Sequence, residues 1–162
     1  MSIKKAKRSK IHPQRHADQI GGLGVIFGRL PVHPEHQTNM SVTCWQAFNN
    51  ITQGESTEEH WAILAASINA SLILAERGLG TLYVPYVTTA LDAMFECQQR
   101  GNRTGAWRFT GPGMNAVRDA LEVIDEQLKH VTQDQMRQAL IEVERRQEAG
   151  PFYTYTENRE AA

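Results

Sequence analysis

The clearest pattern in the chain is a stripe of apolar residues with helical spacing. These residues recur at alternating intervals of three and four positions, at Met114, Val117, Leu121, Ile124, Leu128 and Val131. This spacing places them on one face of an α-helix and therefore predicts a helix with one buried side. Thr110 stands where an N-cap oxygen is needed, and Pro112 suits the first helical turn, where its missing N–H is not required.

Two further helices are predicted before this one. A helix is expected from Pro34 to Gly54, because apolar residues at helical spacing lie between these two residues. Ser56 and Glu59 then have the spacing of a capping box, and the helix that they open is apolar on two sides until Gly78. A helix with two apolar sides needs neighbours on both of them, so this helix is predicted to be central.

The remaining helical patterns lie on either side of the 114–131 stripe. One helix is predicted from about Pro85 to Gly101, and Thr132 with Gln135 forms a second capping box that opens a last helix. The inward residues of the last helix are predicted to be Met136, Leu140 and Val143. Short connections and the absence of alternating strand pairs predict an all-α fold, a compact bundle of about five helices.

The length of 162 residues fits one domain with a single buried core. The predicted helical domain spans 20–150, and its first apolar, glycine-rich segment, 20–32, is expected to lie along the body as an extended strip. A polar, basic arm at 1–19 cannot contribute much to a core and is expected to be flexible, and 151–162 forms a short tail.

Charge is distributed unevenly along the chain. The net charge is −1, but residues 1–15 contain six positive side chains and no acid, so the rest of the chain carries −7. The six are Lys4, Lys5, Lys7, Arg8, Lys10 and Arg15. The chain is therefore a basic arm attached to an acidic body. No secretory signal or membrane-spanning segment of ~20 apolar residues is recognisable, and the two cysteines fit a cytoplasmic protein with free thiols.

The sequence does not predict a catalytic, cofactor or metal site. His33 and His36 flank Glu35, but a metal ion needs three or four converging ligands and no third can be placed. The glycines at 22, 24 and 28 lack the preceding strand of a phosphate-binding loop. The acids of the 114–131 helix lie on its exposed side, whereas paired catalytic acids need burial. We therefore expect a protein without enzyme activity, cofactor or metal.

The connector between the third and fourth predicted helices is a candidate anion contact. Arg103 and Arg108 flank Trp107, a combination that suits phosphate contacts and base stacking. The positive side chains of the arm would neutralise further phosphates without sequence selectivity. An alternative interpretation places Trp107 and Phe109 in the core and leaves the arginines solvated. The sequence leaves both interpretations open.

Two functions from different classes fit these features. The first is a non-enzymatic protein that binds an unidentified host protein or nucleoprotein complex, because an acidic surface can occupy a basic groove that normally holds nucleic acid. Its candidate contacts are Asp119, Glu122, Glu126, Phe152, Tyr153 and Tyr155. The second is sequence-nonspecific nucleic-acid binding through the arm and the 100–108 connector. A basic arm on an acidic body also suits a homo-oligomer, in which the arm of one subunit lies on another.

The segment 103–128 carries a resemblance to a known group of proteins. The residues that carry it are Phe109, Thr110, Gly111, Pro112, Met114, Ala120, Leu121, Asp125, Gln127 and Leu128. With these residues the chain resembles small, uncharacterised helical accessory proteins of proteobacterial prophages and plasmids, although those proteins tend to have an acid where Gly113 stands here. The resemblance implies an accessory gene of a mobile element. For such a protein, the first function above would be the inhibition or modulation of a host nucleic-acid-handling or defence machine through the acidic helical body. It implies no catalytic or binding residues.

Overall fold

Five α-helices make up most of the part of the chain that the computed structural model describes, residues 29–149. They are α1 (Pro34–Gln53), α2 (Glu58–Glu76), α3 (Val84–Thr104), α4 (Gly111–His130) and α5 (Gln133–Ala149), with a short 3-10 helix (Thr81–Tyr83) before α3. The predicted all-α bundle of five helices is confirmed. The predicted arm at 1–19 and tail at 151–162 lie outside the described residues.

Helix α2 lies at the centre of the bundle, as its two apolar sides predicted. It packs against each of the other four helices. Buried residues follow one another without interruption along its second half, and the side chains of Leu64, Ile68 and Ile73 are completely inaccessible to solvent. A helix with more than one apolar side is expected to be buried among neighbouring helices in this way.

Helix α4 buries the apolar stripe that the sequence predicted. Its members Val117, Leu121, Ile124, Leu128 and Val131 are all buried, and Met114 packs against the same core. The predicted N-cap is also confirmed, since the Thr110 hydroxyl oxygen accepts a hydrogen bond of 3.1 Å from the Gly113 N–H.

The described start of the chain pairs with the junction between α4 and α5. The Val32 N–H donates to the Val131 carbonyl at 3.1 Å, and the Gln133 N–H donates to the Leu30 carbonyl at 3.0 Å. Pro31 and Thr132 form an isolated antiparallel bridge between them. The end of the predicted 20–32 strip therefore lies along the body in extended form, while 20–28 falls outside the described residues.

The capping box at the start of α2 lies one residue later than predicted. Thr57 is the N-cap, and its N–H donates to the His60 Nδ1 at 3.1 Å. Ser56, the predicted cap, instead donates its hydroxyl proton to the Trp107 carbonyl at 2.6 Å. A contact with a distant connector thus determines which of two adjacent hydroxyl residues caps the helix. The second predicted box is confirmed, with reciprocal bonds between Thr132 and Gln135.

Two predictions about the later helices are wrong. Helix α3 does not end at Gly101 but continues to Thr104, and Gly105 at φ 73° is the left-handed residue that terminates it. In α5, Leu140 is 44% exposed, and Ala139 is buried in its place beside Val143. Successive residues of an α-helix point about 100° apart. The face of α5 that meets α2 therefore presents Ala139 and Val143, and Leu140 points away from it.

Candidate protein-binding groove

A groove lies between the start of α3 and the outer side of α4. It encloses about 400 Å³, and its lining comprises Tyr83, Tyr86, Asp119, Glu122, Val123 and Glu126. We call these six residues the acidic groove. A neighbouring recess of about 470 Å³ shares Tyr86 and Asp119 with it and continues along the same two helices. The two together form an elongated depression on the surface.

The turn before α3 places the two tyrosines at the acidic groove. Gly80 adopts a left-handed conformation at φ 90°, and its carbonyl accepts a hydrogen bond of 2.9 Å from the Tyr83 N–H. This closes the 3-10 helix, and Pro85 then lies in the first turn of α3. Tyr83 and Tyr86 are three residues apart and meet edge to face, with ring centroids separated by 6.5 Å.

These aromatic rings are unusually accessible for large side chains. Tyr83 is 41% exposed and Tyr86 is 54% exposed, and Leu82 beside them is 87% exposed. Tyrosine combines a large apolar ring with a polar tip and loses little conformational entropy when it is fixed, so it is enriched at protein interfaces. The pair therefore presents an accessible aromatic surface in the acidic groove.

The acids of the groove come from the outer side of α4. Asp119 and Glu122 are exposed and form no ion pair with any residue in the 29–149 region. Glu126 is bound by Lys129 at 2.6 Å and by His130 at 3.2 Å, and these hydrogen bonds, chiefly that from Lys129, lower the pKa of its carboxyl. The free negative charge of the groove is therefore concentrated at Asp119 and Glu122.

The fourth acid of the same helix has a different role. Asp125 is half-buried, and its Oδ2 accepts a hydrogen bond of 2.9 Å from the indole nitrogen of Trp45 on α1. This side chain ties two helices together and does not line the acidic groove. No lysine or arginine lines the groove or the recess beside it, in the part of the chain that the structure describes.

The connector between α3 and α4 does not present its tryptophan to solvent. Trp107 is only 8% exposed, and its ring packs against Trp61 with centroids 5.6 Å apart. Phe109 is half-buried and stacks on Phe48 at 6.2 Å. A base can stack only on an accessible ring face. The burial of Trp107 therefore argues against base stacking at this position and favours the interpretation in which both rings belong to the core.

The two arginines of the candidate anion contact are accessible. Arg103 lies in the last turn of α3 and Arg108 in the connector, and both are exposed. Neither forms an ion pair with a residue of 29–149. The backbone carbonyl of Arg108 accepts a hydrogen bond from Arg100, which fixes the connector against α3. The other candidate contacts, Lys4, Lys5, Lys7, Arg8, Lys10, Arg15, Phe152, Tyr153 and Tyr155, lie outside the described residues.

Three further features bear on other kinds of site: possible metal ligands, possible membrane-spanning helices and the two cysteines. Between residues 29 and 149, no three His, Cys, Asp or Glu side chains come together in a way that could hold a metal ion. Over the same range, no helix has the length and apolar character needed to cross a membrane. Cys44 and Cys97 are buried and unpaired, and burial raises the pKa of both thiols, that of Cys97 to about 11.

The sequence analysis identified the acids of the groove but missed its aromatic residues. Leu82 and Tyr83 lie in the 3-10 helix and Tyr86 in the first turn of α3, where the apolar residues do not yet repeat with a helical period. The sequence does contain one sign of this surface, which is the cluster of three large side chains around Pro85. A segment this short cannot bury three such side chains by itself. Comparison of the chain with protein-family models, curated proteins and solved structures finds no match.

Proposed function

We propose that the protein acts by protein–protein interaction and binds a positively charged partner in the acidic groove. The observation that carries this proposal is the pairing of two exposed tyrosines with two carboxylates, Asp119 and Glu122, that have no ion-pair partner within residues 29–149. Exposed tyrosines supply the apolar anchors typical of interface hot spots. Carboxylates at the rim attract lysine and arginine residues and speed their docking.

The net charge of residues 29–149 favours a basic partner. Residues 29–149 contain ten lysines and arginines against fifteen aspartates and glutamates, a net charge of −5. Such a surface repels nucleic acid but is attracted to proteins that bind it. Together with the resemblance to accessory proteins of mobile elements, this suggests a host protein that handles nucleic acid or acts in defence. Covering the basic surface with which that host protein holds nucleic acid would inhibit or modulate it.

The proposal assigns no catalytic step to the groove. Paired catalytic acids need burial. Asp119 and Glu122 instead lie on an exposed helical face. Their role in the proposal is electrostatic attraction.

A capture experiment with matched variants tests the proposal. Tagged protein is mixed with a lysate of the host, with and without nuclease, and the bound proteins are identified and quantified. We expect a stoichiometric basic partner that survives nuclease and is lost with the double substitution Asp119→Lys and Glu122→Lys. The control is Glu144→Lys with Glu148→Lys, which makes the same change of net charge at two exposed acids of α5. Equal loss in both variants, or retention in both, would contradict the proposal.

The alternative function is nucleic-acid binding through the basic arm, supported by Arg103 and Arg108, which are exposed and form no ion pair within residues 29–149. It predicts recovery of nucleic acid that disappears when residues 1–15 are deleted. With about six phosphate contacts from the arm, log affinity for duplex DNA would fall with log salt at a slope near −5. Deletion of 1–15 without effect on binding would exclude the arm from this role.

A further inference from the structure

A second groove lies between α1 and α5, which both pack against α2 but have no extensive contact with each other. Met40 and Cys44 of α1 line one side of it, and Met136 and Leu140 of α5 line the other. Residues of α2 and α4 form its floor, and the space enclosed is about 70 Å³. We call it the apolar groove. Among the described residues it shares no lining residue with the acidic groove.

The polar side chains in the lining of the apolar groove already have hydrogen-bond partners. The Ser67 hydroxyl donates to the Ile63 carbonyl at 2.9 Å and accepts from the Cys44 thiol at 3.2 Å. The Ser71 hydroxyl donates to the side-chain oxygen of Gln127 at 2.7 Å. A polar occupant would lose its contacts with water and gain few in return. The groove therefore suits an apolar occupant.

The α5 side of the apolar groove leaves large apolar side chains accessible. Leu140 is 44% exposed, and Met136 is only partly buried against the core. Met40 on the α1 side is also only partly buried. Such side chains gain free energy when another apolar segment removes them from water.

The described start of the chain leads towards this groove. Leu30 pairs with Gln133, and Val32 pairs with Val131, in antiparallel fashion. The residues before Leu30 therefore run in the direction in which α5 begins. Leu140 lies only about 12 Å along the helix from this pairing, at 1.5 Å per residue. An extended segment of nine residues spans up to ~30 Å, so residues 20–28 are long enough to pass along the whole groove.

The sequence of residues 20–28, which lie outside the described residues, matches the groove in character. It reads IGGLGVIFG, five large apolar residues and four glycines without a charged or polar side chain. Leu23, Val25 and Phe27 alternate with other residues, so they share one side of an extended chain. The glycines lack a side chain and allow the backbone to approach the helices closely.

We infer that residues 20–28 dock in the apolar groove of their own chain, with the side chains of Leu23, Val25 and Phe27 facing it. The docked segment covers Leu140 and the two methionines. It also fixes the point from which the basic arm extends, on the side of the body between α1 and α5. The inference does not depend on the proposed function, because the two grooves are separate.

A cysteine at position 140 reports whether the apolar groove is covered. Leu140→Cys places a thiol at its edge, and the rate of reaction with iodoacetamide is measured in the full chain. The rate is measured again after Leu23→Ser, Val25→Ser and Phe27→Ser have removed the apolar side chains of the segment. We expect the reaction to become about tenfold faster, because a covering segment must open before the reagent can reach the thiol.

The matched control is Ile141→Cys, one position further along α5. Ile141 is 50% exposed against 44% for Leu140, but it does not line the groove. Its reaction rate should be the same with and without the three serines. Cys97 is buried away from the groove, so its slow reaction in every variant shows that the fold is intact.

A crosslink tests the placement of the segment without the serine substitutions. Benzoylphenylalanine replaces Phe27, and after irradiation the attachment point is located by mass spectrometry of the digested protein. We expect attachment within the same chain, near Met40 on α1 or between Met136 and Leu140 on α5. The yield should not change on dilution, because segment and groove belong to one molecule.

Three results would overturn the inference. Equal rates at positions 140 and 141 in the full chain would show that the groove is open. A slow reaction at position 140 that persists with the three serines would show that the segment is not the cover. Crosslinks from position 27 to another surface, or to a second copy of the chain, would place the segment elsewhere.

Discussion

The ring of Trp107 lies directly against the backbone of Gly101. A Cβ atom at position 101 would be 2.5 Å from Trp107 Cδ2, closer than any real contact of this kind. Gly101 is buried within α3, and the indole covers it from the connector that follows. Glycine at this position therefore allows the connector to fold back over the helix and bury the tryptophan.

The first prediction concerns this contact. Gly101→Ala should destabilise the fold by about 1–3 kcal/mol, because the rigid ring must move away to admit a methyl group. Urea denaturation followed by circular dichroism measures the change. The matched control is Gly111→Ala, where no atom lies within 4 Å of the added Cβ, and its effect should stay within about 0.5 kcal/mol. Similar stability of the two variants would show that the ring is not tightly packed on α3.

The second prediction concerns the only buried glutamine in the described region. Gln127 on α4 accepts a hydrogen bond from the Ser71 hydroxyl at 2.7 Å, and its Nε2 donates to the carbonyls of Ser71 and Leu79. Gln127→Met keeps the shape but leaves these groups without partners, so it should cost about 1–3 kcal/mol in the free energy of unfolding. Gln99→Met, at an exposed site, should have almost no effect. An equal loss in both variants would contradict the structural role.

The third prediction concerns the stability of the protein in acid. The Glu142 carboxylate on α5 accepts hydrogen bonds from Arg145 and from Arg146. These bonds, chiefly that from Arg145, lower the pKa of the carboxyl from 4.5 to about 2. Arg146 also binds Glu76 on α2 at 2.7 Å, so the cluster connects the two helices. Because the folded pKa lies below the unfolded one, the unfolded chain binds more protons in acid. The stabilisation is complete above about pH 5 and is lost as the pH falls towards 2.

The test compares stability against pH for wild type and Glu142→Gln. Wild type should be the more stable near neutral pH, and the difference should shrink towards zero by about pH 2. Added salt should reduce it, because the groups are close to solvent. Glu144→Gln, an exposed acid of the same helix, should follow the wild-type curve. A difference that does not change with pH would mean that the cluster contributes nothing through its charge.

The fourth prediction concerns the cysteines. Cys44 and Cys97 are buried, and burial raises the pKa of both, so little reactive thiolate is present at neutral pH. Both should react with a thiol reagent such as iodoacetamide at least about tenfold more slowly in the native protein than in urea. A cysteine introduced at exposed Gln46 gives the rate of an accessible thiol. Rapid modification of the native cysteines would show that the core opens easily.

The helices themselves followed from local patterns, whereas their exact ends did not. The stripe of α4 is predictable because its residues repeat with the helical period, and the central place of α2 follows from its two apolar sides. The capping of α2 depends instead on the bond between Ser56 and the Trp107 carbonyl, across about fifty residues of chain. Gly101 lies inside α3 and not at its end, because a close contact with the Trp107 ring, and not a helix stop, requires glycine there. The spacing of apolar residues carries no information on either contact.

The candidate site was predictable in part for a similar reason. Asp119, Glu122 and Glu126 could be assigned to the exposed side of α4 because they lie opposite its apolar stripe. Tyr83 and Tyr86 could not, since their exposure depends on the turn at Gly80 and on the position of α4 beside α3. The sequence therefore indicated the charge of the site, while only the packing of the helices showed its exposed tyrosines.

The most direct test of the proposed function is site-specific photocrosslinking from the acidic groove. Tyr86 is replaced by the photoreactive benzoylphenylalanine, and the control places the same residue at Ile141 on α5, which is 50% exposed against 54% for Tyr86. After irradiation in host lysate, we expect one dominant crosslink to a basic protein from position 86, absent from position 141 and lost with Asp119→Lys and Glu122→Lys. No crosslink from position 86, or the same crosslinked proteins from both positions, would contradict it.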